Sequence, residues 1–268
     1  MTQSGLTVMA VKKYSGEKAI LEKIQLLFAY RKLTDLMQRT KLNKDVSFRN
    51  KLTDLQYRIY LLDAYLEGQW ELDPAQLKTY WQAITDAISA FDYSPKQIKS
   101  QLAEIRLYEH IETNTRLNKW PTKVPFKQFY TTKSCDVRLM RHLIYRSHPE
   151  LNDIWDENAW TYYDLITEIN DDITDVTEDL LTYNGNRFLI SILRKGEKKT
   201  SSQYRNYIER VTKKARTYFK KHSGVGENIQ LLDWTLARSL ETLELLDTTL
   251  ESNDKDAYSS SLILAKMK

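Results

Sequence analysis

Glycine, proline and cysteine are all scarce in this chain. Its 268 residues hold seven glycines and five prolines, where average usage would place about 19 and about 13. Hairpins, bulges and tight turns depend on residues that tolerate positive φ or fix it, so an all-β sandwich or barrel is excluded. A single cysteine excludes a disulfide framework and any multi-cysteine metal cluster. The four histidines show no ligand spacing, so a zinc site is not indicated. No stretch approaches the roughly 20 apolar residues of a membrane span, and the apolar patch Leu6 to Val11 is too short for a signal peptide. Disorder is disfavoured by a hydrophobic fraction of 41% and an aromatic fraction of 11%. The expectation is a soluble, cytoplasmic protein. Taken alone, its net charge of +4 hints only weakly at polyanionic partners.

Between Gly68 and Gly185 lie 116 residues without a glycine, which suits long helices broken at the few glycines and prolines. Apolar residues at helical spacing predict a first helix over 15–41 and a second over 47–67. Asp73-Pro74 and Ser94-Pro95 each read as an N-cap followed by proline in the first turn, opening two more. The segment Trp120 to Pro125 is a loop, because two prolines four apart cannot share a helix interior. Further helices are predicted over 126–145, 152–183 (closed by Asn184-Gly185), 187–193, 201–222 and 228–250, with a turn or two in the tail 254–268. The fold class is all-α: one domain over residues 1–268, a single bundle of about eight to ten helices by this periodicity.

Charge is unevenly spread. From Ser147 to Asn186 there is no Lys or Arg, yet that stretch carries eleven carboxylates, leaving +15 over the rest of the chain. At about 100° per residue, Asp164, Glu168, Asp171, Asp172, Asp175, Glu178 and Asp179 share an arc of roughly 120°, beside an apolar stripe of Leu165, Ile166, Ile169, Ile173, Val176 and Leu180. Solvated amphipathic faces usually interleave Lys or Arg at i+3 and i+4, since like charges at those spacings repel. Two readings stand: a plain acidic surface, or carboxylates gathered around a counter-cation such as Mg²⁺. From Arg187 to Lys221 the sign reverses, with twelve Lys or Arg against Glu197 and Glu209. Beside carboxylate-bound metal, such a segment suits a diphosphate; by itself it is a solvated helix face or an electrostatic patch.

The run Glu168 to Asp179, followed by Asn186-Arg-Phe-Leu189, resembles the second aspartate-rich motif of the class I isoprenoid synthases. Asp171 to Val176 is similar to the D-D-I-x-D-V of trans-prenyltransferases. Asp175-Val-Thr-Glu-Asp179 with Arg187-Phe-Leu189 is similar to the corresponding element of squalene and phytoene synthases. The resemblance implies an all-α bundle around a central apolar cavity, Mg²⁺ as cofactor and a prenyl diphosphate as substrate. It implies metal binding by Asp171, Asp172, Asp175 and Asp179, with Asp63 and Glu67 as a candidate partner motif. Arg187 with Asp171 and Asp175 would carry catalysis, and Arg138, Arg141, Arg187 and Lys195 would contact the diphosphate. The segment Lys133 to Arg138 falls where that family places a broken helix. Tyr60, Trp81, Phe129, Tyr130 and Tyr163 are candidate cavity aromatics, able to stabilise a carbocation by cation–π contact.

The function implied is a Mg-dependent class I terpene synthase that ionises a prenyl diphosphate and releases pyrophosphate. A prenyltransferase or squalene/phytoene-type condensing enzyme, and a non-catalytic helical interaction module, stand as alternatives. No nucleic-acid partner is expected, no transmembrane segment is expected, and a homodimer is allowed for.

Overall fold

The structure is a computed structural model, and it describes residues 16–117, 119–222, 227–252, 258 and 261–266. Among these residues all regular structure is helical. In chain order the helices are α1 (Glu17–Tyr30), α2 (Leu33–Arg39), α3 (Val46–Gly68), α4 (Pro74–Ser89), α5 (Pro95–Gln101), α6 (Ala103–Arg116) and α7 (Phe126–Lys133). They continue with α8 (Cys135–Ser147), α9 (Trp160–Thr174), α10 (Arg187–Lys195), α11 (Glu197–Lys221), α12 (Asn228–Ser252) and α13 (Leu262–Lys266). No helix among the described residues is long and apolar enough to cross a membrane. The patch Leu6 to Val11 and most of the tail 254–268 lie outside the described residues; α13 is the tail's one described helix.

Two compact units form. Unit 1 takes Met1–Thr113 and Cys135–Ser147, and unit 2 takes Asn114–Ser134 and His148–Lys268. In unit 1, α3 packs on α4, and α8 packs on α2 and α3. Leu33, Leu36, Leu52, Leu55, Ile84 and Met140 are fully buried there. The predicted caps are in place: Asp73 accepts from the Ala75 N–H at 3.0 Å, and Ser94 forms a reciprocal capping box with Gln97. Each such cap satisfies donors that a helix start otherwise leaves open.

Several boundaries differ from the periodicity reading. The helix expected over 15–41 breaks after Tyr30, where Lys32 takes the left-handed conformation at φ 62°; no glycine or proline marks that position. The helix expected over 126–145 divides at Ser134, whose hydroxyl donates back to the Thr131 carbonyl at 3.1 Å and competes with the next helical turn. The helix expected over 152–183 is reduced to α9. Upstream of it, Asp156 caps a separate short turn by accepting from the Asn158 N–H at 2.9 Å. Downstream, the Thr174 hydroxyl bonds the Asn170 carbonyl at 2.9 Å, and the chain tightens into the 3₁₀ turn Asp179–Leu181. Asn184-Gly185 therefore closes no helix. Asn186 instead opens α10, accepting from the Leu189 N–H at 2.9 Å.

Unit 2 is organised around α9, which packs on α12, α7, α10 and α11. Tyr163 to Asn170 are all buried, which is why this helix has no solvent face at its middle. Trp155 and Trp160 stand edge-on at 6.0 Å between ring centroids, and Trp234 of α12 closes the cluster at 5.6 Å from Trp155. Small side chains on α12, Thr235, Ser239 and Thr242, are buried. Asn170 donates to the Thr242 hydroxyl at 3.1 Å across the α9–α12 contact.

Candidate functional site

The carboxylates of the acidic segment divide by environment. Asp164, Glu168, Asp172 and Asp179 are each no more than 3% exposed, whereas Asp171 is half-buried and Asp175 and Glu178 are exposed. A solvated acidic surface therefore describes only the end of the helix. The inner carboxylates need compensation, since an ionised group removed from water without a partner costs several kcal/mol.

For Asp172, Glu168 and Asp179 that compensation comes from α7. The Lys133 ammonium forms an ion pair with Asp172 Oδ1. Burial pulls the lysine's titration down, but Asp172, Glu168 and Asp179 outweigh it and hold it well above the usual lysine range. The other Asp172 oxygen accepts from the Tyr130 hydroxyl at 2.9 Å and from the Arg187 backbone N–H at 3.1 Å. Tyr130 and Tyr204 pair through their hydroxyls at 2.9 Å. Burial first, and then the charge of Asp172, push both phenols well above the usual tyrosine range. Asp172 thus sits at the N-terminus of α10, where a carboxylate is favoured by the open backbone donors.

Asp179 is held similarly. Asn184 donates to it at 3.2 Å, and Asn186 donates at 2.8 Å. The Asn186 amide also donates to the Asp172 carbonyl at 2.7 Å, so one side chain caps α10 and ties it to both aspartates. Asn186→Ala is expected to cost about 2 kcal/mol, from a lost cap and two lost hydrogen bonds to buried acceptors. A denaturant midpoint unchanged from the parent chain would contradict that role.

Arg187 points away from this pair. Its guanidinium donates to the carbonyls of Pro121 and Val124 and lies 4.2 Å from the Phe126 ring centroid. It anchors the loop predicted over Trp120 to Pro125, in which Pro121–Lys123 form a short 3₁₀ turn. At the far end of α10, the Arg194 guanidinium lies 4.6 Å from the Trp120 ring centroid. Lys195 is exposed and donates to Gln203 at 3.2 Å. Partial burial and the charges of Arg187 and Arg194 hold its ammonium below the usual range. Unit 2 therefore brings Asp171, Asp172, Asp175, Asp179, Arg187 and Lys195 onto two contacting helices and the turn between them.

The remaining candidates belong to unit 1. Asp63 accepts from the Tyr108 hydroxyl at 2.6 Å. Burial, then Asp63, Glu112 and Glu67, raise that phenol well above its usual range. Glu67 is buried at the end of α3. Arg138 makes a two-pronged ion pair with Glu104, at 2.6 and 3.1 Å, and Arg141 is 2% exposed. Of the aromatic candidates, Trp81 donates its indole N–H to Glu109 and Tyr60 is half-buried. In unit 2, Phe129 packs edge-on against Tyr130, and Tyr163 packs edge-on against Trp160.

Asn186 carried a readable signal, an asparagine immediately before a helical stretch. Asn184 reads in the sequence as a helix C-cap and instead donates to Asp179; Tyr204 carried no signal, because its partner Tyr130 lies 74 residues away on another helix. No group of three or more His, Cys, Asp or Glu side chains placed to hold a metal occurs among the described residues. Compared with known proteins, the chain matches no protein-family model, no curated protein and no solved structure.

Proposed function

We propose that this chain ionises a prenyl diphosphate and releases pyrophosphate, as a class I terpene synthase does, with a bundle around an apolar cavity as the accompanying architecture. The observation that carries this reading is the seating of the α10 N-terminus on Asp172. It sets the acidic end of α9 in the same unit and on a contacting helix to Arg187, Arg194 and Lys195. The break at Ser134, within the segment where the resemblance implies one, supports it as well.

The residues fit magnesium only in part. Both oxygens of Asp172 are taken by Lys133, Tyr130 and the Arg187 N–H, and those of Asp179 by Asn184 and Asn186. These two are poor ligands. Asp171 and Asp175 stand one turn apart, linked by the Asp175 N–H to Asp171 carbonyl bond at 2.9 Å, and reach the surface. Two carboxylates completed by water and phosphate oxygens are the usual share of a protein in a magnesium site. Bound there, the ion would neutralise diphosphate oxygens and favour departure of the leaving group. Lys195 would contribute an ammonium to the same anion. Arg187, committed to the 121–124 carbonyls, would act by holding the adjoining turn.

The test is magnesium-dependent pyrophosphate release from geranyl, farnesyl and geranylgeranyl diphosphates. Asp171→Ala and Asp175→Ala are expected to abolish release while leaving the helical circular dichroism intact. Unchanged release in both would remove these carboxylates from the mechanism. Product analysis with mixed chain lengths separates a cyclase from a prenyltransferase or condensing enzyme. A second reading, the non-catalytic helical module, is favoured by one observation: the position among Glu168, Asp172 and Asp179 is served by a lysine. Absence of release from all three substrates would select it.

A further inference from the structure

A cavity of about 530 Å³ lies in unit 2 between α7, the first half of α9 and α11. None of the acidic-segment residues discussed above as metal or diphosphate candidates lines it. Its volume falls within the range of about 300–1,000 Å³ typical of small-molecule sites. Two aromatic pairs contribute walls. Phe126 stacks on Tyr207 at 4.6 Å between centroids, and Tyr162 lies 5.4 Å from Tyr218.

The polar lining has one sign. Lys127, Arg210 and Lys214 line the cavity and no carboxylate does. Among the described residues none of these three cations makes an ion pair. Tyr207, Arg210 and Lys214 recur at i, i+3 and i+7, so one face of α11 presents them together. Tyr207 is 6% exposed, yet its hydroxyl has no hydrogen-bond partner among the described residues. Burial pushes its titration up to about 12, leaving a neutral donor at ordinary pH. That hydroxyl is therefore open to donate to a ligand acceptor in the cavity.

We propose that this cavity binds a small aromatic phosphate, its planar body against the Phe126–Tyr207 and Tyr162–Tyr218 pairs and its anionic head on Arg210, Lys214 and Lys127. Apolar walls alone would suit any greasy molecule. Three cations without carboxylate partners select a multiply charged head, and the Arg fork matches phosphate oxygens bidentately. The site is independent of magnesium and of Asp171.

The test is calorimetric titration of the full chain in magnesium-free buffer with 1-naphthyl phosphate, and separately with its two halves, 1-naphthol and inorganic phosphate. The phosphate ester is expected to bind at least tenfold more tightly than either half. Arg210→Gln with Lys214→Gln is expected to weaken the ester at least tenfold and leave 1-naphthol unchanged. Tyr207→Phe should weaken it severalfold, and Asp171→Ala should have no effect. The proposal is overturned by 1-naphthol binding as tightly as the ester, by an unaffected double variant, or by no measurable binding of the ester. All three substituted α11 side chains lie at the cavity rather than among the contacts of Asp172, so the variants are expected to fold, and their helical circular dichroism checks it.

Discussion

Lys133→Ala lowers the stability of unit 2 by about 3–5 kcal/mol, the usual cost of removing one member of a buried ion pair. The asymmetry between the partners sets the size of the effect. The Asp172 side chain is 0% exposed and that of Lys133 is 18% exposed, so the lysine partly recovers solvent when unpaired and the aspartate does not. Urea unfolding followed by far-ultraviolet circular dichroism measures the loss, and a midpoint within error of the parent would show that another group neutralises Asp172. The pH profile has a definite sign. Asp172, Glu168 and Asp179 hold the folded lysine's titration above its usual range against the pull of burial. Burial and Asp172 do the same for Tyr130 and Tyr204. The unfolded chain releases these protons near about pH 10 for tyrosine and about pH 10.4 for lysine. The folded protein keeps them longer, so it binds more protons and its stability falls as pH rises. The contribution is complete below about pH 10 and is lost progressively above it. In Lys133→Ala the alkaline decline is expected to become shallower, with only the tyrosine part remaining; an identical slope in both chains would rule out the lysine as its source.

Arg187→Lys is expected to lose about 3 kcal/mol, nearly as much as Arg187→Leu, because charge is not what the position uses. Its guanidinium reaches the carbonyls of Pro121 and Val124 at once and lies flat enough to sit 4.2 Å from the Phe126 centroid. An ammonium can satisfy one carbonyl well and cannot stack, while charge-assisted bonds to buried carbonyls are each worth about 1.5–3 kcal/mol. Hydrogen exchange in the 119–125 segment and urea midpoints report the change together. If Arg187 served chiefly as a diphosphate ligand, Arg187→Lys would keep the parent midpoint and lose only pyrophosphate release. These two outcomes separate an anchoring role from a binding one.

Glycine scarcity, the capping pairs at 73–74 and 94–95 and the long apolar periodicities made the all-helical class and most helix starts legible. The end of α9 was not, because carboxylates and β-branched residues continue the helical pattern past Thr174, while Asn184 and Asn186 fold back to bind Asp179. Counting charges along the chain located Asp171 to Asp179 as exceptional, and the counter-cation it suggested was Mg²⁺. It could not show that Lys133, 39 residues earlier than Asp172, reaches the same place. Long-range partners of that kind depend on which helices pack together. Composition is silent on that, and the apolar stripe of α9 is compatible with several neighbours.

The order in which the chain contributes to its two units has a consequence for synthesis. Unit 1 is interrupted: its first 113 residues are completed only by α8, which packs on α2 and α3. A nascent chain must therefore extend past Ser147 before unit 1 can close, by which time α7, an element of unit 2, has already been made. At about 5–20 residues per second, the α8-facing surfaces of α2 and α3 wait several seconds for their cover. Simple N-terminal-first folding is thus denied to this chain, and truncation at residue 113 leaves unit 1 unclosed.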